Sequence, residues 1–107
     1  MIDACIVITT CPSEAMALNI AAALVDQKLA ACVSIRPGIK SYYYFDGTEH
    51  WDEEFELVIK TRAGMFDRVS SRIRELHTYD VPEIMMFKLD GSSEPFQKWI
   101  ESTIELR

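Results

Sequence analysis

The side chains in this sequence best suited to chemistry are two thiols and an imidazole, Cys11, Cys32 and His77. Soft thiolates joined by imidazole select Cu(I) or zinc if the fold brings them together. Their spacing, with or without His50, matches no structural zinc pattern, so a metal site depends wholly on tertiary convergence. Each residue also has a plainer role. A free cysteine in an apolar strand is a small buried side chain, the favoured reading for Cys32 and more strongly for Cys5. His77 ends a helical pattern, where a partly charged imidazole suits the helix dipole without any ligand. Glu49, Asp52, Glu53, Glu54 and Glu56 offer hard oxygens but lack the glycine turn and ligand order of a calcium loop. They read better as a solvated strand face that blocks aggregation. No Ser/His/Asp or Cys/His order with an activating context is present, and no glycine loop that cradles phosphate. The expectation is a binding protein, not an enzyme.

The elements that must position these groups belong to a small domain. A chain of 107 residues is enough for one domain, taken as 1–107, and its 49% hydrophobic and 26% charged content is that of a globular protein. A net charge of −6 repels a phosphate backbone, and Arg62, Arg68, Arg72 and Arg74 are interrupted by Asp67 and Glu75. Nucleic acid is excluded as a partner, whereas an acidic surface concentrates cations. Met1-Ile2-Asp3-Ala4 has no basic leader, and the apolar run after it is too short to span a bilayer. Three cysteines cannot all pair, so reduced thiols and a cytoplasmic location are expected.

Ala4 to Thr9 is a β-branched run typical of a strand covered on both faces. After Pro12 and Ser13, Ala17, Ile20, Ala21 and Leu24 recur at helical spacing, giving a helix over Ser13 to Gln27. Strand character returns at Cys32-Val33-Ser34-Ile35, is bent by Pro37-Gly38, and continues from Ile39 to Phe45. Asp46-Gly47 is a hairpin turn, with the return strand at Glu54 to Thr61. Phe66, Val69, Ile73 and Leu76 mark a helix from about Ala63 to His77. A loop over 77–82 leads to a strand from Glu83 to Leu89, and Ser93 caps a last helix with Pro95 in its first turn. The order βαββαβ plus a C-terminal helix is the split βαβ, ferredoxin-like α+β arrangement, with a long hairpin between the second and third strands.

Such a sheet has one face without helices. The long hairpin also carries Tyr42, Tyr43, Tyr44, Phe45 and Trp51, five aromatics on strands that overhang the domain. Left in water they are an aggregation hazard; a subunit interface accounts for them better than packing on the chain's own helices.

Four stretches in register resemble the CutA divalent-cation tolerance proteins. They are Leu29-Ala30-Ala31-Cys32-Val33-Ser34-Ile35 with Pro37-Gly38; Ser41-x-Tyr43 with Phe45-x-Gly47; Ile59-Lys60-Thr61; and His77-Thr78-Tyr79-Asp80-Val81-Pro82-Glu83. The departures are Phe45 for a usual tryptophan, Glu49 for an apolar residue, and Thr78 for a common proline. Thr9 stands where some members carry cysteine, with Cys11 nearby. The resemblance implies a homotrimer joined by strand pairing of the hairpins, and binding of copper or another divalent cation. It also implies a cleft between protomers similar to that of the trimeric nitrogen-regulatory PII proteins, and no enzymatic activity. In that cleft Lys60, Tyr79 and Glu83 would converge, with Trp99 as an apolar wall. Two other readings stay open: a PII-like regulatory module whose ligand is a small anion or nucleotide, and a scaffold for a partner protein.

Overall fold

A computed structural model of the chain describes residues 3–106. The strands are β1 (Ala4–Cys11), β2 (Cys32–Phe45), β3 (Thr48–Arg62) and β4 (Ile84–Lys88); the helices are α1 (Glu14–Asp26), α2 (Phe66–Leu76) and α3 (Glu94–Thr103). A short 3-10 turn at Ala63–Met65 leads into α2. The strands form one antiparallel sheet in the order β2-β3-β1-β4. β1 and β2 are therefore parallel with β3 between them, and β3 and β4 with β1 between them, which is the expected split βαβ topology.

Alternation along the strands divides the sheet into two unlike faces. Cys5, Val7, Leu57 and Ile59 point to the helices and are fully buried with Ile20 and Leu24 of α1 and Val69 and Ile73 of α2. The opposite face carries the intervening residues. In one cross-strand row stand Met85, Ile8, Val58 and Ser34; in the next, Phe87, Ile6, Lys60 and Cys32. Met85 and Phe87 are 42% and 49% exposed there, with Val58 and Ile8 beside them.

The hairpin is longer than the return strand foreseen at Glu54 to Thr61, because β3 begins at Thr48. Asp46 (φ 55) and Gly47 (φ 77) make a two-residue turn with both φ positive, which pairs Phe45 directly with Thr48. Pro37-Gly38 is a bulge as expected: the register slips between Arg36 and Ile39, and Gly38 has φ 74. The hairpin draws the molecule out to 44 × 26 × 22 Å.

Helix ends follow two different rules. The Ser13 hydroxyl accepts from the Met16 N–H at 3.2 Å, capping α1. Ser93 takes the capping position of α3, but its side chain makes no bond to the helix, so Pro95 in the first turn is what starts it. α3 is held at its other end. Arg62 pairs with Asp3 at 2.6 Å and donates to the carbonyls of Ile104 (3.1 Å) and Glu101 (3.4 Å).

Candidate functional site

A groove of about 720 Å³ lies between the hairpin and the segment that joins α2 to β4. Its walls include Ser41, Tyr43 and Phe45 from β2, Glu54 from β3, Thr10 from β1, and Tyr79 to Glu83. The strand register explains why these meet. Ile39 pairs with Glu54, Ser41 with Asp52 and Tyr43 with His50, so these side chains share one face of the hairpin.

Hydrogen bonds fix the polar groups. Tyr79 Oη donates to Glu54 Oε2 at 3.1 Å, and Tyr43 Oη donates to Asp52. Both phenols have their pKa raised above the ordinary tyrosine value, Tyr79 mainly by burial and Tyr43 mainly by its bond to Asp52. The segment carrying Tyr79 is held by His77. Its Nε2 lies 2.8 Å from the Thr10 carbonyl and so donates, while Nδ1 accepts the Tyr79 N–H at 3.1 Å. The two rings also touch, with centroids 4.6 Å apart.

Glu54 was expected on a solvated acidic face, and that expectation fails: it is only 5% exposed. β3 is unbroken, so Glu54 keeps the face that alternation gives it, with Glu56 and Lys60; what alternation does not reveal is that Tyr79 reaches it there. The one signal in the sequence was Tyr79 itself, a phenol in a loop that needs a polar partner when covered.

Of the foreseen cleft residues, the chain brings Tyr79 and Glu83 into the groove and leaves two elsewhere. Lys60 projects from the helix-free sheet face, where its Nζ donates to Ser34 and lies 4.0 Å from the Cys32 sulfur. Trp99, 43% exposed on α3, meets Phe96 in a tilted ring contact with centroids 5.7 Å apart. The thiol–imidazole set is not assembled within one chain. Cys11 is buried on the helix side opposite Phe55, whereas Cys32 sits on edge strand β2 opposite Lys60. Both nitrogens of His77 are engaged by backbone groups, which leaves no lone pair for a metal. Among the described residues, no three His, Cys, Asp or Glu side chains stand close enough to hold an ion. The hairpin aromatics are exposed, Tyr42 at 76% and Trp51 at 52%, and these two stack across the strands.

Burial pushes the Cys5 thiol up to about 11 and raises Cys11 as well. Few thiolates form at such sites, and reagent has no path to them. A thiol titration of the native protein at mildly alkaline pH is expected to count at most one of the three cysteines, and all three after denaturation. Two fast thiols in the native state would contradict the buried placement of Cys5 and Cys11.

A family profile for the CutA1 divalent ion tolerance protein matches residues 5–103. The chain belongs to the CutA1 family. A CutA divalent-cation tolerance protein of Thermus thermophilus is 39% identical over 95 residues, covering 89% of this chain and 92% of that protein. A solved structure from the same organism, covering 95% of this chain and 99% of that one, superposes with a TM-score of 0.92. The chloroplastic CutA 1 protein of rice is 34% identical over 92% of this chain, which spans only 55% of that longer protein. A structure from Archaeoglobus fulgidus, described as a periplasmic divalent cation tolerance protein, has a TM-score of 0.92 at 34% identity, over 95% of this chain and 99% of that one. The ferredoxin-like protomer with its long hairpin is thus the CutA1 protomer.

Within this CutA1 chain Glu83 has its pKa raised, first by partial burial and then by the charges of Glu54 and Glu56. A raised carboxylate pKa means that the folded state holds the proton more tightly than the unfolded chain. The contribution to stability is therefore full below the unfolded pKa and is lost as pH rises through the folded one. Glu83→Gln is expected to stabilise the protein slightly at neutral pH, by less than about 1 kcal/mol because the group is half in water. The difference from wild type should vanish towards pH 4. A melting series over pH that shows Glu83→Gln less stable at neutral pH would reverse this reading.

Proposed function

We propose that the protein is a non-enzymatic, cytoplasmic homotrimer that binds a divalent cation at the groove between hairpin and 79–83 segment. The observation that carries this is a charge left uncompensated. Glu54 and Glu83 flank the groove; Lys40 lines it too, but among the described residues neither it nor any other cationic side chain forms an ion pair with either carboxylate. A buried carboxylate without a counter-charge is costly, so the groove favours a cation. Its donors are carboxylate and hydroxyl oxygens, which suit a hard or borderline ion that keeps some of its water. Copper held by thiolate and imidazole would need donors from different protomers, since one chain does not assemble Cys11, Cys32 and His77. A nucleotide or small anion, the PII-like alternative, is opposed by the same carboxylates.

The trimer is supported by two apolar surfaces on one protomer. The helix-free face exposes Met85 and Phe87 beside Ile8 and Val58, and the hairpin exposes Tyr42, Tyr44 and Trp51. Patches of this kind mark interfaces. Three free thiols support a reducing compartment. Light scattering on reduced protein, with and without Cu and Zn, tests the assembly: the expected mass is three times the 12.3 kDa chain, independent of metal. A monomer would remove both interface and cleft. Calorimetric titration with Mn and Zn tests the cation, and equal binding by wild type and Glu83→Gln would place it elsewhere.

A further inference from the structure

The groove has two properties that a bare metal ion does not use. It is about 720 Å³ in volume, large enough for a small organic molecule and far larger than an ion. Its walls also carry the rings of Tyr43, Phe45 and Tyr79 beside its carboxylates.

Glu54 supplies the demand for charge. It is 95% buried by its 5% exposure, and it lines the groove. Its Oε2 accepts from Tyr79, and among the described residues no ion pair reaches the carboxylate. A neutral phenol does not offset a buried negative charge, so the carboxylate favours a positive group in the groove it lines.

The rings supply the shape of that group. Tyr79 and Tyr43 each donate their hydroxyl to a carboxylate, Glu54 and Asp52. Each ring also contacts an imidazole, Tyr79 that of His77 and Tyr43 that of His50, which leaves one face of each for a ligand. A phenol that donates to an anion gains electron density on its ring, and electron-rich faces attract cations that carry their charge on methylene or methyl groups. A hydrated divalent ion gains little from a ring face, because its charge stays inside a water shell. An alkylated ammonium loses little water on entry and presents apolar surface to Phe45 at the same time. Carboxylate at the base and aromatic walls around it form the receptor for this class of cation.

We infer that the groove binds a small alkylammonium ion, with Glu54 as its counter-charge and Tyr43 and Tyr79 as cation–π walls. The inference rests on the reading of the groove as a cation site, and it names a ligand class within it. Divalent ions and alkylammonium ions then compete for Glu54.

The test is calorimetric titration of the intact protein with tetramethylammonium and with putrescine, at constant ionic strength against KCl. Binding of either ammonium is expected, weakened by Mn, with no response to KCl. Glu54→Gln and Tyr43→Leu should each weaken it about tenfold. Tyr79→Phe, which keeps the ring, should leave it within about threefold. Tyr43 is partly exposed, so its variant remains folded even if Glu54→Gln does not, and circular dichroism checks both. Divalent binding without ammonium binding would overturn this inference and leave the cation reading standing. No binding of any cation would overturn both. Ammonium binding unchanged in both Glu54→Gln and Tyr43→Leu would remove the site from this groove.

Discussion

In place of the proposed trimer, Met85→Glu is expected to give single 12.3 kDa chains that remain folded. Met85 lies on the helix-free sheet face, on edge strand β4 in register with Ile8, and is 42% exposed in the single chain. A glutamate there stays wet in the monomer, so the protomer loses little. In a trimer that covers this face, each copy would bury an unpaired carboxylate, at about 3–5 kcal/mol per copy. The neighbouring Met86 makes the control, because it packs against the core from the helix side. Met86→Glu should unfold the protomer itself. Light scattering and circular dichroism separate the two outcomes. An unchanged trimer mass for Met85→Glu would mean that this face is not the interface, and the assembly would then rest on the hairpins alone.

Most of the fold was legible because each element carries its own punctuation. The βαββαβ order followed from two helical periods set between β-branched runs. The hairpin followed from Asp46-Gly47, where the φ values of both residues are those that only such pairs adopt easily. The ends were less legible. β3 extends back to Thr48 because strand pairing with the aromatic half of β2 overrides the weak strand character of Glu49, Asp52 and Glu53. α1 stops at Asp26 and turns through Lys28, which takes a left-handed φ of 57 without being glycine. No sequence rule marks that turn.

The site was legible only in part, for a related reason. Tyr79 and Glu83 come from one short segment, so local sequence points to them together. Glu54 enters from another strand: alternation gives its face, but its meeting with Tyr79 depends on the path of the chain between α2 and β4, which local sequence does not show. Lys60 and Trp99, expected in a cleft between protomers, lie outside the groove of the single chain: register sets Lys60 beside Ser34, and Trp99 meets Phe96 on α3. Polar residues at strand ends meet only through register, and register is a tertiary property.

Ile59→Ala is expected to cost the protomer about 3–5 kcal/mol, a large share of the stability of a domain this size. Ile59 is fully buried and central: it pairs with Val33 on β2 and Val7 on β1, and its side chain meets the α1–α2 layer. Shortening it by three carbons removes buried apolar surface and leaves a cavity that two flanking strands and two helices cannot close. Val58, the residue before it, points to the opposite face and is 9% exposed. Val58→Ala removes two carbons instead of three, from a site that the chain by itself already buries, so it should cost less than Ile59→Ala. The two are best compared in the Met85→Glu background, where chain concentration no longer enters the stability. Urea titrations should show the midpoint falling steeply for Ile59→Ala and less for Val58→Ala. Equal losses would mean that the protomer's own core extends through both faces of the sheet, and that the helix-free face is not held in reserve for a partner.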